Sequence, residues 1–231
     1  MQTLSNRITS STRNWRSRIK AVIFDYNGVL VNDLKIHEEA YWQAGRELGF
    51  PVARETVKKY LSYSPGQKRT FYFGTISDET WDRIAALMTR IYFDLAQKTD
   101  VVFPDVEPVL TWLSTRYTLA LLSNTRRKYF KRVFPRTLAR LFSETMFFEE
   151  IEKPKPSPDP LLEMMGRLGT GSHECCYVGD SILDVQMARK VGIRVFAVAT
   201  GDHSKGELQE AGADRVFNKL SELKEELEPK G

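Results

Sequence analysis

The chain has 231 residues, 42% of them hydrophobic and 28% charged. That suits one large domain, or a core with a smaller insertion, and excludes low-complexity disorder, collagen and coiled coil. The formal net charge of +4 is concentrated at the start, where residues 1–20 hold Arg7, Arg13, Arg16, Arg18 and Lys20 and no acid. The other residues carry 29 basic and 30 acidic side chains, a net charge of −1, so no nucleic-acid partner is expected for the body.

Apolar runs such as Tyr117–Leu122 are far shorter than the ~20 residues of a membrane span, so no membrane partner is expected either. The two cysteines, Cys175 and Cys176, are adjacent and cannot form a disulfide framework. A reducing, cytoplasmic setting fits them. Residues 1–19 read as a disordered basic tail; their Ser-rich, Arg-rich, acid-free composition also matches an organelle transit peptide.

Ala21–Phe24 is a short β-branched apolar run that ends at Asp25 and reaches the turn Asn27-Gly28, the pattern of a buried strand. Residues 37–49 carry Ala40, Tyr41, Ala44 and Leu48 at helical spacing, closed by Gly49 and Pro51. From there to about residue 100 the patterns are helical, broken at Ser64-Pro65-Gly66 and Gly74-Thr75. Trp81, Ile84, Leu87, Met88, Ile91 and Leu95 share one face of a helix over 80–96.

After Pro104 helices and strands alternate. Helices are predicted at Pro108–Thr115, Thr125–Val133, Pro160–Leu168, Ile182–Val191, Glu207–Ala211 and Leu220–Leu227. Strands are predicted at Tyr117–Leu122, Thr145–Phe148, Cys175–Val178, Ile193–Val198 and Arg215–Phe217. This alternation implies an α/β fold, a Rossmann-like three-layer core with a parallel sheet. Residues 34–102 interrupt it straight after the first strand and read as an inserted helical cap domain, leaving 20–33 and 103–231 as the core.

In open α/β sheets ligands bind outside the carboxyl ends of the strands. Four strands here run into polar clusters: Asp25-Tyr26-Asn27-Gly28, Ser123-Asn124, Lys153-Pro154-Lys155-Pro156, and Gly179-Asp180-Ser181 with Asp184 beyond. If those strands are neighbours, three carboxylates, a hydroxyl, an amide and a lysine share one crevice. Crowded carboxylates call for a hard divalent cation, and Mg²⁺ is the natural one. A lysine and a hydroxyl opposite suit a phosphate, and a free carboxylate can attack phosphorus.

Phe24-Asp25-Tyr26-Asn27-Gly28-Val29-Leu30, Ser123-Asn124, Lys155 and Val178-Gly179-Asp180-Ser181-Ile182-Leu183-Asp184, in this order, resemble the four motifs of the haloacid dehalogenase superfamily. The likeness extends through Ala188, Gly192, Thr200–Ser204 and Gly212-Ala213-Asp214. The place of the insertion resembles the branch of phosphoglycolate phosphatase and β-phosphoglucomutase, with a helical cap of the C1 type.

The resemblance implies a phosphohydrolase with Asp25 as nucleophile and metal ligand, and with the backbone carbonyl of Asn27, Asp180 and, directly or through water, Asp184 as further ligands of Mg²⁺. It implies Ser123 and Asn124 as phosphate-binding groups. Lys155 becomes the lysine that neutralises nucleophile and phosphate; Lys153 begins a rival match, and the distance to Pro158-Asp159-Pro160 favours Lys155. A small phosphorylated metabolite is the implied partner, and the chain is expected as a monomer or homodimer.

One position departs from the family pattern. Phosphatases of this kind carry a second Asp two residues after the nucleophile as general acid and base, where this chain has Asn27. An amide has no titratable proton, and such catalysis is worth about 10²–10⁴-fold. The expected activity is therefore a slowed hydrolysis of a small phosphomonoester through an aspartyl-phosphate. The alternative is a non-hydrolytic or regulatory relative that binds a phosphorylated ligand; a phosphomutase or dehalogenase is a weaker match. Glu38 and Glu39 are the nearest acids that could substitute.

Among the other polar residues, His37, Lys68 and Arg69 are candidates for substrate contact from the cap. Arg126, Arg127, Lys128, Lys131, Arg132, Arg136 and Arg140 form a basic stretch, read either as a solvated face or as an anion-attracting rim. The cysteines read as core.

Overall fold

A computed structural model describes residues 15–228. Its centre is a six-stranded, wholly parallel sheet of β1 (Ala21–Phe24), β2 (Thr118–Leu122), β3 (Phe142–Met146), β4 (Cys175–Gly179), β5 (Arg194–Val198) and β6 (Arg215–Phe217). The order across the sheet is β3-β2-β1-β4-β5-β6. β1 lies between β2 and β4, so the strand order reverses there. The crevice at such a reversal is where ligands bind in open α/β sheets.

Both sheet faces are covered, as parallel strands require. Val22, Phe24, Leu121, Val178 and Phe196 face one core cluster, while Ala21, Ile23, Leu122, Tyr177 and Val195 face the other. The period-2 alternation of strands sends the adjacent Cys175 and Cys176 to opposite faces, both buried and unpaired. Burial pushes the Cys176 thiol well up, which suits a packing role.

Four helices follow β1 before Val102: α1 (Leu34–Glu47), α2 (Arg54–Lys59), α3 (Pro65–Phe73) and α4 (Asp78–Ala96). Ser64 caps α3 in a reciprocal box with Gln67, and Pro65 opens its first turn. α4 buries Trp81, Ile84, Met88, Tyr92, Phe93 and Ala96 along one face. This segment joins the core by a bridge between Val31 and Val102. The remaining helices are α5 (Val106–Ser114), α6 (Arg127–Val133), α7 (Arg136–Ala139), α8 (Asp159–Leu168), α9 (Ile182–Val191), α10 (Lys205–Glu210) and α11 (Glu222–Leu227).

Two expectations change. The strand predicted at Thr145–Phe148 runs from Phe142 to Met146, because it is an edge strand whose middle residues Ser143, Glu144 and Thr145 are polar and only partly covered. Residues 15–19 were expected in a disordered tail but are packed. The Trp15 ring lies 5.8 Å from that of Phe196, Arg194 stacks on it, and Arg16 binds Glu226. One aromatic among polar residues carries no periodicity, so its docking is invisible in sequence. The rest of that tail lies outside the described residues. No helix among the described residues is long and apolar enough to cross a membrane.

Candidate active site

The carboxyl ends of β1, β2 and β4 bring Asp25, Ser123, Asn124 and Asp180 to one narrow cavity of about 30 Å³. Leu34, His37 and Lys68 from the inserted helices close it from above. The Asp25 backbone N–H donates to Val178 O across the β1–β4 seam, which fixes the start of the loop. The Asp25 Oδ1 atom accepts from the Tyr26 N–H at 2.7 Å and lies 3.0 Å from Lys155 Nζ.

Lys155 is 1% exposed, and its ammonium also donates to Asp184 Oδ1 at 2.8 Å. Lys153 is exposed and pairs with Asp159 instead. Of the two, Lys155 is the one packed against the carboxylates. The Lys155 backbone N–H donates to Asn124 Oδ1 at 3.2 Å, so motif lysine and motif amide hold each other in place.

Asp184 is fully buried, and its oxygens are occupied by protein donors. Oδ1 takes Lys155 and the Tyr177 hydroxyl at 3.1 Å; Oδ2 takes the Ser181 hydroxyl at 2.6 Å and the Ser181 N–H at 3.1 Å. A carboxylate offers about four acceptor positions, so these donors leave it little to give a ligand. Asp180 is different. It is wedged between the backbones of Gly28 and Gly201, where a Cβ on either glycine would overlap its carboxylate. Gly28 also sits at φ +74°, a conformation glycine adopts without strain.

Asp25, Asp180 and Asp184 each place an oxygen within 4.8 Å of the others. Burial first, with Lys155 opposing and the Asp184 charge adding, pushes Asp25 up to about 6. Burial and then the charges of Asp184, Asp25 and Asp202 push Asp180 well above the usual carboxylate range. Lys155 alone does not balance this cluster, and a divalent cation beside Asp25 and Asp180 would. The donor set is all oxygen, as Mg²⁺ requires.

Two features suit a phosphate. The buried Asn124 Nδ2 has no partner among the described residues, and a buried amide donor without one is costly. The Ser123 hydroxyl, also buried, interacts with Asp25.

Asn27 lines the same cavity, and its side chain is held by Asp33. Its Nδ2 donates to both oxygens of Asp33, each at 2.9 Å. Asp33 is fully buried, also accepts the Tyr92 hydroxyl at 2.6 Å, and lies 3.5 Å from His37 Nε2. Burial raises the Asp33 carboxyl, but His37 and the donors Asn27 and Tyr92 outweigh that and hold it low. Asn27→Asp therefore sets one carboxylate against another. We expect it to lower stability at pH 7 by about 1–3 kcal/mol. A carboxyl pair sharing a proton has a raised pKa in the folded state, so the loss should shrink as pH falls. Urea unfolding at pH 7 and pH 5 checks both.

Of the other candidates, His37 and Lys68 line the cavity, and Arg69 does not. Arg69 is bound to Asp78 at 2.6 Å and to the Ile76 carbonyl, which locks the α3–α4 connection. Glu38 and Glu39 pair with Arg54 and do not line the cavity. Arg127 of the basic stretch pairs with Glu150, whereas Arg126 and Lys128 line a second cavity of about 220 Å³ beside the first, with Tyr41, Trp81 and Tyr129. The sequence reading missed Asp33, Tyr92 and Tyr177 and gave no role to Thr200, whose hydroxyl donates to the Gly28 carbonyl at 2.6 Å. Asp33 carried a signal, four residues before His37 at a helix start. The tyrosines looked like ordinary core.

A family model described as haloacid dehalogenase-like hydrolase matches residues 22–198. The chain belongs to that family. Its relatives include a protein named pyrophosphatase PpaX from Caldanaerobacter subterraneus subsp. tengcongensis, 30% identical over 78% of this chain and 82% of the relative. A phosphoglycolate phosphatase from Pasteurella multocida is 26% identical over 90% of this chain and 97% of its own. Among solved structures, a hydrolase from Pseudomonas syringae superposes with a TM-score of 0.79 at 22% identity, covering 90% of this chain and 97% of that one. A β-phosphoglucomutase from Clostridium difficile gives 0.75 at 17% identity with the same coverage. At such identities these structures support the family's α/β fold.

Proposed function

We propose that this chain is a Mg²⁺-dependent phosphomonoesterase that forms an aspartyl-phosphate at Asp25 on a small phosphorylated metabolite. The observation that carries the reading is the convergence of Asp25, Ser123 and the unpartnered Asn124 amide on one narrow cavity, with Lys155 Nζ 3.0 Å from the Asp25 carboxylate. In this reading Asp25, Asp180 and the Asn27 backbone carbonyl would hold the metal, which when bound would supply positive charge against the phosphoryl group. Asp184 serves chiefly to hold Lys155. Ser123, Asn124 and Lys155 bind the phosphate oxygens, and positioning and charge supply most of the rate. The four inserted helices act as the cap that excludes water from the cavity.

The experiment is phosphate release from acetyl phosphate and p-nitrophenyl phosphate, with Mg²⁺ and with EDTA. Turnover that needs both the metal and Asp25 is the expected result. Asn27 tied to Asp33 favours a second reading, in which the site binds a phosphorylated ligand without turning it over. Tight ligand binding with no release of phosphate would select it.

Lys68 gives this site a pH signature. Burial lowers its ammonium to about 8, against the pull of Asp202, Asp33 and Asp25. The cation is present below that value and lost as pH rises through it. KM for an anionic ester should rise roughly tenfold between pH 7 and pH 9. Steady-state kinetics should show that rise gone, and KM already high, in Lys68→Met.

A further inference from the structure

The narrow cavity at Asp25 and the wider one lined by Tyr41, Trp81 and Tyr129 meet. Four residues line both: His37, Lys68, Asn124 and Thr125. With phosphorus beside Asp25 and the rest of the substrate in the wider cavity, the ester oxygen lies at this neck. It is the atom that needs a proton when its bond to phosphorus breaks. The Asn27 amide cannot supply one, and it is turned to Asp33. Of the four neck residues, His37 and Lys68 can.

His37 is built for the task. Its Nε2 lies 3.5 Å from the buried Asp33 carboxylate. That carboxylate is fixed in turn by Asn27 and by the Tyr92 hydroxyl of α4. The imidazole stacks on Tyr92 at 4.3 Å and meets the Tyr129 ring of α6 at 5.2 Å. These contacts hold the ring between cap and core. The residue is 6% exposed, and Nδ1 has no hydrogen-bond partner among the described residues. A carboxylate on one ring nitrogen orients the imidazole, and the other, buried and without a partner among the described residues, is a polar atom that a ligand group at the neck would satisfy. The titratable and charged groups around it are Asp33, Tyr92 and Tyr129, with Lys68 across the cavity. Lys68 has no such backing carboxylate in hydrogen-bond contact among the described residues.

We propose that His37, positioned by Asp33, is the general acid and base that replaces the missing aspartate. The proposal rests on the phosphomonoesterase reading. In the first step an Asp25 oxygen bonds to phosphorus and the phosphorus–ester oxygen bond breaks. The electron pair stays on the departing oxygen, which takes the proton from imidazolium Nδ1 and leaves as the alcohol. In the second step water attacks phosphorus, neutral His37 takes its proton, and inorganic phosphate and the Asp25 carboxylate are released. Asn27 becomes a positioning residue, acting through Asp33.

The test is leaving-group dependence. kcat/KM is measured for acetyl phosphate, for aryl phosphates of graded phenol pKa and for an alkyl phosphate, in wild type, His37→Gln, Asp33→Asn and Lys68→Met. General acid catalysis is worth about 10²–10⁴-fold where the leaving group is poor. His37→Gln should lose that much on the alkyl ester and several-fold or less on acetyl phosphate. Asp33→Asn should show the same trend more weakly. Lys68→Met should lose similar factors on all substrates. Thermal midpoints identify any variant that has not folded, and Asp33→Asn then carries the comparison.

Equal losses in His37→Gln across the series, or a leaving-group trend in Lys68→Met alone, would overturn the proposal while leaving the phosphatase reading intact. A wild type that releases no phosphate even from acetyl phosphate would overturn both.

Discussion

Asp25→Asn should abolish turnover while leaving the protein folded. The expected loss in kcat is roughly 10⁴–10⁶-fold, because an amide cannot form the acyl-phosphate bond that every later step uses. The substitution is nearly isosteric, and it removes a buried charge that the site holds at some cost. Burial and the neighbouring Asp184 push Asp25 up to about 6, with Lys155 opposing. Lys155 keeps its 2.8 Å bond to Asp184 in the variant. The thermal midpoint should therefore hold or rise. Phosphate release and rapid-quench trapping of phosphoenzyme from a labelled ester are the measurements. Phosphoenzyme in the variant would move the nucleophile elsewhere, and a collapsed midpoint would mean that the cluster depends on the Asp25 charge for stability.

The second large effect is on stability. Lys155→Met should cost about 3–5 kcal/mol, the usual cost of removing one partner from a buried ion pair. For a chain of this size each kcal/mol is about 2–4 °C, so the midpoint should fall by about 6–20 °C. The loss comes from Asp184, left without exposure and with a charge opposed only by the Tyr177 hydroxyl and Ser181. Asp25 loses the cation that holds its pKa down, so more of the nucleophile is protonated at pH 7. Adding Asp184→Leu to Lys155→Met should recover part of the midpoint and none of the activity. Lys153→Met is the control: its partner Asp159 is half exposed, and the midpoint should barely move. Thermal unfolding followed by circular dichroism separates these cases. Equal falls for the two lysines would show that the buried triad does not hold the core.

Much of the site was legible because its residues follow strands. Asp25, Ser123-Asn124 and Asp180 each end an apolar run, and a parallel sheet places such ends along one edge. Spacing narrows the choice between Lys153 and Lys155, and packing adds what spacing cannot: Lys155 alone of the two is buried against Asp25 and Asp184. Asp184 illustrates a limit of the same kind. Its distance from Asp180 is the same whether it faces a metal or a lysine, and its hydrogen bonds to Lys155, Tyr177 and Ser181 come from three separate segments.

The sequence by itself determined the α/β core, the helical insertion after β1 and the chemistry at the strand ends. These rest on local periodicity and on turn residues, which need no knowledge of distant contacts. It also placed Asn27 where the phosphatases it resembles carry a second Asp. The tertiary structure alone decided what Asn27 does instead, because Asp33, His37 and Tyr92 become its neighbours only when α1 and α4 pack over the sheet. It likewise drew Arg69 away from the cavity to Asp78 and brought Trp15 onto Phe196. A hydrogen bond or a ring contact between separate elements leaves no periodic trace in the chain, so such partners appear only once the elements are packed.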